Sequence, residues 1–250
     1  MAYFTYKHQK IHYRIIGKGT PLLLLHGNTL SSRMFGTVLK QYTREFRVIL
    51  IDFPGHGKSE RLKQFETDFW FSNAEVTFAV LEHLQLDKAG VIGTSGGALV
   101  AINLALEHPE KIKFLVADSF EGEYPLPSYI HTLRADREND KKKLPAKLIW
   151  FYCHSFGWKK VVDADTKVNL DFAATGQSFF HRSIADLKVP ALLTGSRKDE
   201  YCDHLDQIYR ALQQKNKQLK VHLFDQGGHP AMLSNRDAFF RQIKQFSKPL

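Results

Sequence analysis

Residues 89–98 read Ala-Gly-Val-Ile-Gly-Thr-Ser-Gly-Gly-Ala, a short apolar run followed by one serine between glycines. The apolar part is typical of a strand buried on both faces of a sheet, and the Ala- and Leu-rich residues 98–107 predict a helix. Residues 93–97 fit the pattern G-x-S-x-G, which places a serine on a sharp strand-to-helix turn. Glycines on either side remove side chains that would clash there. We therefore expect the Ser95 hydroxyl to project above the sheet at the start of a helix.

Five further apolar runs have the same character of buried strands. They lie at residues 22–25, 47–51, 112–116, 190–194 and 219–224. Helical patterns at 69–86, 98–107, 203–214 and 231–246 fall between them, so the chain alternates strand and helix. This alternation predicts an α/β fold, with parallel strands and helices on both faces of the sheet. Residues 3–16 alternate polar and apolar side chains, which indicates one or two antiparallel strands at the start.

One long segment, from about 120 to 184, contains no buried-strand run. It is rich in aromatic residues at helical spacing, and an unstructured loop of that length would be unusual. We interpret it as a helical cap, residues 120–184, inserted after the sixth strand. Residues 1–119 and 185–250 would then form the core, with about eight strands in all. The aromatic residues suggest a pocket for an apolar group, although packing of the cap on the core explains them as well.

Two further motifs follow the first two apolar runs. His26-Gly27-Asn28 comes after residues 22–25, and residues 52–59 read Asp-Phe-Pro-Gly-His-Gly-Lys-Ser after residues 47–51. Together with the Ser95 turn, in this order, they resemble the α/β-hydrolase family closely. The resemblance covers nearly the whole chain, with the cap least well matched, and it is more specific for the fold than for a substrate. It implies a mostly parallel sheet and Ser95 as nucleophile.

A serine hydroxyl is a poor nucleophile without an adjacent base. His229 follows the last predicted strand, just before Pro230, and the resemblance places the catalytic histidine there. The chain order Ser, Asp, His requires an acid between Ser95 and His229. Asp199, just past residues 190–194, is the first candidate, and Asp118, at the end of the preceding strand, is the second. Glu200 is expected to point elsewhere if Asp199 is the acid.

The resemblance also assigns the groups that stabilise a tetrahedral intermediate. They are the backbone N–H groups of Asn28 and Gly96. Loss of one such donor typically lowers the rate by about a hundred- to a thousandfold. His26 and His56 are interpreted as structural residues of their loops. No cofactor and no metal is needed for this chemistry.

Composition excludes several classes of protein. Two cysteines in 250 residues exclude a disulfide framework. The formal net charge is +9, but the only tight basic run, residues 141–143, is better explained by a solvated helix face than by a nucleic-acid site. No apolar run is long enough to span a membrane, and the first residues lack the apolar core of a signal peptide. We therefore expect a cytoplasmic protein that does not bind nucleic acid; the sequence does not indicate an oligomeric state.

The expected activity is hydrolysis of a carboxylic ester of a small to medium hydrophobic substrate, through an acyl-enzyme. Ser95 argues against dehalogenases and epoxide hydrolases of this fold, which use an aspartate nucleophile. Gly96 argues against proline iminopeptidases, which usually carry Trp there. Hydrolases of carbon–carbon bonds in ring-fission products remain an alternative, as do thioesterases, lactonases and perhydrolases. A small-molecule receptor with a hydrolase fold is an alternative of a different class.

Overall fold

The computed structural model describes residues 2–248, which are built around one eight-stranded sheet. The sheet order is β1-β2-β4-β3-β5-β6-β7-β8. The strands are β1 (Ala2–Tyr6), β2 (Gln9–Ile16), β3 (Thr20–Leu25), β4 (Phe46–Ile51), β5 (Ala89–Thr94), β6 (Ile112–Asp118), β7 (Ala191–Ser196) and β8 (Lys220–Phe224). β1 and β2 pair antiparallel with their neighbours, and every pairing from β4 to β8 is parallel. The predicted fold class is confirmed, since each apolar run forms one of the parallel strands.

Nine α-helices connect and cover these strands within residues 2–248. They are α1 (Leu39–Tyr42), α2 (Phe69–His83), α3 (Gly96–Glu107), α4 (Pro127–Asp140), α5 (Leu144–His154), α6 (Trp158–Thr175), α7 (Leu205–Lys215), α8 (Ala231–Ser234) and α9 (Arg236–Ser247). Leu23 and Leu25 of β3 pack into the core beneath α2, α3 and α7. Leu22 and Leu24 pack into a second core beneath α1 and α9. Both faces of the sheet are covered, which explains why its strands read as continuous apolar runs.

The prediction of one continuous helix over residues 231–246 is wrong. The structure divides it into α8 and α9, because Asn235 has a non-helical backbone with φ −118° and ψ 37°. The Asn235 amide donates to Ser196 Oγ at 3.0 Å and to the Gln226 carbonyl at 2.8 Å. These contacts tie the break to the ends of β7 and β8, which a helical pattern in the sequence does not report.

Three helices, α4, α5 and α6, lie between β6 and β7 and form the predicted helical insertion after the sixth strand. We call residues 120–184 the cap. α4 and α5 begin with proline in their first turn, where the missing N–H costs nothing. The division at 119/120 and 184/185 stays a prediction, and residues 1, 249 and 250 of the predicted core lie outside the described residues. The lysines 141–143 lie in the turn between α4 and α5, so the prediction of a helix face for them was wrong.

Two buried side-chain contacts join the cap to the core at one loop. The Asp165 carboxylate on α6 accepts the N–H of Thr29 at 3.0 Å. His154, at the end of α5, bonds through Nε2 to the Thr29 carbonyl at 2.8 Å and accepts the Gly57 N–H through Nδ1 at 3.0 Å. The loop that follows β3 is thus positioned by the cap as well as by the sheet.

None of the helices formed by residues 2–248 combines the length and apolarity that a bilayer-spanning segment needs.

Candidate active site

Ser95 lies between the end of β5 and the first residue of α3, with φ 56° and ψ −128°. A positive φ is strained for a residue with a Cβ, and such strain is concentrated at functional sites. The close approach of strand and helix depends on the neighbouring glycines. A Cβ on Gly97 would lie 2.3 Å from the Leu25 carbonyl oxygen, and one on Gly93 would lie 2.1 Å from the Gly97 carbonyl oxygen. The sharp turn expected from the sequence is confirmed.

His229 and Asp199 are brought together by the loops that follow β8 and β7. His229 Nδ1 lies 2.9 Å from Asp199 Oδ2 and 3.1 Å from Oδ1. Because a carboxylate only accepts hydrogen bonds, Nδ1 carries the proton and Nε2 is left with a free lone pair. Burial acts to raise the pKa of Asp199, but the His229 contact and the backbone N–H groups of Tyr201 and Cys202 lower it below its ordinary value. The carboxylate is therefore charged where it faces the imidazole.

Asp118, the alternative acid, faces different partners. Its carboxylate accepts the Met232 N–H at 3.0 Å and the Thr194 hydroxyl at 2.9 Å. It is fully buried, and burial raises its pKa to about 7 despite these hydrogen bonds. No hydrogen bond within residues 2–248 joins Asp118 to His229, so of the two carboxylates only Asp199 contacts the imidazole.

The prediction that Glu200 points elsewhere is wrong, because its side chain turns toward the His229 loop and lines the same cavity as His229. Its carboxylate accepts the backbone N–H of His229 at 2.9 Å. A Cβ on Gly228 would lie 2.5 Å from Glu200 Oε2, so the missing side chain makes room for this contact. Asp199 and Glu200 thus hold the side chain and the backbone of His229 respectively. In the sequence, only the two glycines before His229 indicated that another group approaches this backbone closely.

Ser95 and His229 line the same cavity, whose volume is about 750 Å³. His229 is 13% exposed at its side chain and Asp199 is fully enclosed behind it. Within residues 2–248 the recorded hydrogen bonds do not include one from the Ser95 hydroxyl to His229. Such bonds are often long in a ligand-free site and tighten when substrate binds. The two side chains face one space, with the imidazole oriented by the carboxylate.

Asn28 and Gly96 are also adjacent. A Cβ on Gly96 would lie 1.9 Å from the Asn28 side-chain oxygen. The Asn28 side chain is itself held, since its oxygen accepts from the Trp70 indole at 3.4 Å and its amide donates to Asn169 of α6 at 3.3 Å. Among the backbone hydrogen bonds of residues 2–248, none begins at the N–H of Asn28 or Gly96. Two unpaired donors therefore lie beside Ser95.

The cavity wall is apolar with several charged residues. Apolar side chains come from the core and from the cap, including Leu30, Met34, Ile149, Trp150 and Leu233. Glu121 also lines it, and burial raises the pKa of that carboxyl to about 6. The cap thus closes the space above Ser95 and His229 with the apolar surface that its aromatic composition suggested.

Asp199, Cys202 and His229 each offer one potential metal-ligand atom within 4.8 Å of the others. Burial raises the pKa of the Cys202 thiol well above its ordinary value, which disfavours the thiolate that metals bind. Asp199 is already occupied by His229 and by two backbone N–H groups. The cluster is better explained by orientation of the imidazole than by metal binding.

His26 and His56 are structural residues of the neighbouring loops, as predicted. His26 Nε2 accepts the Phe53 N–H at 3.1 Å, and its Nδ1 bonds to the Gly27 carbonyl at 2.9 Å. His56 is fully buried and bonds to the Pro54 carbonyl at 3.1 Å. Burial lowers the pKa of both rings, so each stays neutral. His154 has a comparable structural role, and its sequence context did not indicate it.

Comparison with known proteins assigns the chain to a family. A model of the alpha/beta hydrolase fold family matches residues 20–148, more than half of the chain. The chain belongs to the α/β-hydrolase family. This hydrolase is 26% identical over 272 aligned residues to the AB hydrolase superfamily protein YisY of Bacillus subtilis, with 97% of each chain covered.

Two other relatives carry more specific names. Our α/β-hydrolase is 37% identical over 100 residues to the pimeloyl-[acyl-carrier protein] methyl ester esterase of Chromobacterium violaceum. That match covers 40% of this chain and only 37% of the relative. The enol-lactonase from Burkholderia xenovorans LB400 superposes with a TM-score of 0.79 at 18% identity, covering 98% of this chain and 99% of that one. This structural likeness shows the fold alone.

Proposed function

We propose that this α/β-hydrolase is a serine carboxylesterase, with Ser95 as nucleophile, His229 as general base and Asp199 as the acid that orients it. The observation that carries the proposal is the contact of His229 Nδ1 with both Asp199 oxygens, in a cavity that Ser95 also lines. This contact leaves Nε2 as the basic nitrogen on the side of the cavity.

In the proposed reaction, Ser95 Oγ attacks the ester carbonyl carbon while His229 Nε2 takes the hydroxyl proton. The C–O bond to the alcohol then breaks, and the imidazolium returns the proton to the departing oxygen. A water molecule, deprotonated by the same nitrogen, attacks the acyl-enzyme and releases the carboxylic acid. The charged Asp199 stabilises the imidazolium that forms in both halves of the reaction.

The N–H groups of Asn28 and Gly96 are proposed to bind the oxyanion of each tetrahedral intermediate. Both lack a backbone partner and lie beside Ser95, and Gly96 follows the nucleophile at the first turn of α3. A helix N-terminus adds a partial positive charge at this point. Preorganised donors of this kind supply much of the rate enhancement in acyl transfer.

The substrate is proposed to be a small to medium hydrophobic ester. The cavity of about 750 Å³ is of the size that encloses such a molecule, and its wall is largely apolar. One relative, matched over 40% of this chain, is named for a methyl ester, which supports an acyl–oxygen bond as the one cleaved. Another, matched over the same share of the chain, is named 2-hydroxymuconate semialdehyde hydrolase, which keeps the carbon–carbon hydrolase as the alternative. The proposed mechanism of Ser95, His229 and Asp199 would cleave a thioester in the same way.

Labelling with a fluorophosphonate probe tests the assignment of the nucleophile. Wild-type protein is expected to be labelled at Ser95, with loss of labelling and a fall in kcat of about 10⁴-fold or more in Ser95→Ala. Ser183→Ala, at an exposed serine of the cap, is the matched control and should keep both. Labelling that persists in Ser95→Ala would contradict the proposal.

A panel of p-nitrophenyl esters from acetate to decanoate, with a ring-fission dienoate and a thioester beside it, tests the reaction class. We expect the highest kcat/KM among the esters. A dienoate turned over far faster than every ester would favour the carbon–carbon hydrolase alternative. Tight binding of a ligand without turnover of any member would favour a receptor.

A further inference from the structure

The outer face of α5 is unusually apolar. Ten large hydrophobic side chains are clearly exposed among residues 2–248, and six of them lie between positions 144 and 156, so they form one patch. They are Leu144, Leu148, Ile149, Phe151, Tyr152 and Phe156. Ile149 and Tyr152 also line the cavity, so the outer part of the patch consists of Leu144, Leu148, Phe151 and Phe156. Phe156 is 90% exposed, and its ring packs edge-on against Phe151 with centroids 5.3 Å apart.

The inner face of the same helix is well packed, so the exposure does not result from a loose helix. Trp150 is buried and stacks on Trp158, with ring centroids 5.4 Å apart and Val162 beside them. The exposed positions 144, 148 and 151 recur at helical spacing on the opposite side. α5 therefore has two apolar faces, and only one of them is covered within the chain.

Lysines lie on both sides of this patch along the chain. Residues 141–162 contain six lysines and neither Asp nor Glu. Two of them, Lys141 and Lys143 in the turn between α4 and α5, pair with acidic residues of the cap. The other four have no acidic side chain within 4.0 Å among the residues described: Lys142, Lys147, Lys159 and Lys160. The patch is thus apolar at its centre and positively charged around it.

We propose that residues 142–160 dock this protein on the surface of an anionic lipid bilayer. An apolar helix face with flanking lysines is the pattern of interfacial helices, which bury their apolar side chains in the headgroup region. Each lysine near an anionic surface strengthens binding by about fivefold. A second copy of the chain fits the patch poorly, because a two-fold interface made by this segment on both copies would offer its lysines no acidic partner, since residues 141–162 contain neither Asp nor Glu.

Docking would place the cavity beside the lipid. Ala146, Ile149 and Cys153 of α5 line the cavity that Ser95 and His229 share. A substrate that partitions into the bilayer would then meet the cap directly. This consequence rests on the proposed function, whereas binding of the bilayer itself does not depend on catalysis.

Co-sedimentation with vesicles tests the docking surface. Full-length protein is expected to bind vesicles of equal parts phosphatidylglycerol and phosphatidylcholine at least tenfold more strongly than vesicles of phosphatidylcholine alone, and more weakly in 0.5 M than in 0.1 M NaCl. Lys142→Gln with Lys159→Gln should weaken binding by about 25-fold, the product of two fivefold losses. Leu148→Ser with Phe156→Ser should weaken it by more than tenfold.

A matched control replaces two exposed lysines far along the chain from this segment. Lys63→Gln with Lys217→Gln removes the same charge and should change vesicle binding by less than twofold. Hydrolysis of the water-soluble p-nitrophenyl acetate should be unchanged in all three two-residue surface variants, and Ser95→Ala should bind vesicles like wild type. These readouts separate failure of docking from failure of the proposed function.

Three results would overturn the proposal. One is absence of binding to the anionic vesicles at millimolar lipid. Another is an equal loss of binding in the control and patch lysine variants, which would show a response to net charge alone. The third is a dimer in sedimentation velocity that Leu148→Ser with Phe156→Ser dissociates, because the patch would then be covered by a second copy.

Discussion

Asp118 and Asp199 are both buried carboxylates at the carboxyl edge of the sheet, but they have different partners. Asp199 faces the His229 imidazole, and Asp118 faces the Met232 N–H and the Thr194 hydroxyl. The direction of the pKa shift follows the partners. Contact with the imidazole lowers the pKa of Asp199 against the effect of burial, whereas burial prevails at Asp118. Two aspartates at neighbouring strand ends thus have pKa values shifted in opposite directions.

The first prediction compares amide variants of these two residues. Asp199→Asn should lower kcat for ester hydrolysis by about 10⁴-fold, because the amide favours the wrong tautomer of His229. Asp118→Asn should lower kcat far less, since Asp118 does not contact the imidazole. Steady-state kinetics with a p-nitrophenyl ester, alongside a thermal melt that verifies folding, make the comparison. If Asp118→Asn is the more damaging variant, Asp199 is the wrong acid.

The second prediction concerns pH and stability at Asp118. With a folded pKa raised to about 7, the folded chain retains a proton that the unfolded chain loses near pH 4. The protonated Asp118 carboxyl contributes fully to the unfolding free energy below its unfolded pKa. This contribution is lost as pH rises to about 7, at about 1.4 kcal/mol per pH unit. From pH 5 to pH 8 the unfolding free energy of Asp118→Asn should therefore rise by about 3 kcal/mol relative to that of wild type. Urea unfolding at both pH values measures it, and a difference independent of pH would contradict it.

At the scale of elements, the site depends on how closely α3 approaches β3 and β5. A Cβ on Gly97 would lie 2.3 Å from the Leu25 carbonyl oxygen. This oxygen belongs to the backbone, which cannot move aside as a flexible side chain can. The same approach places the first turn of α3, with Gly96, next to the loop that carries Asn28. The close packing of α3 on β3 therefore also places the N–H groups of Asn28 and Gly96 next to each other.

The third prediction follows from this packing. Gly97→Ala should destabilise the protein by about 1–3 kcal/mol, since the added methyl group forces α3 away from β3. kcat should fall as well, because Gly96 moves with the helix. Gly36→Ala is the matched control: its Cβ would have Tyr152 Oη as nearest neighbour at 3.7 Å, an ordinary contact. Urea unfolding measures the loss of unfolding free energy in both variants. Equal losses would show that the close approach of α3 to β3 does not contribute to stability.

At the scale of the whole molecule, the cap and the core share the loop that follows β3. Asp165 of α6 accepts the Thr29 N–H, and Asn169, one turn along, contacts Asn28. Burial raises the pKa of Asp165 to about 6, although the charge of Arg137 and the hydrogen bond from the Thr29 N–H act in the opposite direction. The cap therefore supports the geometry of the site in addition to enclosing it.

The fourth prediction tests this coupling. Asp165→Ala should lower the unfolding free energy by about 1–3 kcal/mol, since it leaves the buried Thr29 N–H without an acceptor. It should also lower kcat, because the adjacent Asn28 loses support. Asp163→Ala, on the same helix, removes only an exposed ion pair with Lys141 and should cost less than about 1 kcal/mol. Equal kcat values in the two variants would argue against a coupled cap.

The sequence by itself determined the parallel sheet, the helical insertion and the strained turn at Ser95, because each leaves a local pattern. Apolar runs report strands buried on both faces, and the glycines around Ser95 report a crowded strand-to-helix turn. It also limited the acid to a few candidates after strand ends. The roles of Ser95, His229 and Asp199 in catalysis stay predictions until the variants are measured.

Only the tertiary structure decided which carboxylate meets His229, that Glu200 holds its backbone, and that α5 leaves an apolar face uncovered. These facts depend on the paths of loops that bring together residues far apart in the chain, such as Asp165 and Thr29. The break of the last helix at Asn235 has the same origin, since its side chain bonds to the ends of two strands. Local patterns report backbone preference within a few residues, whereas such contacts arise only when the whole sheet is assembled.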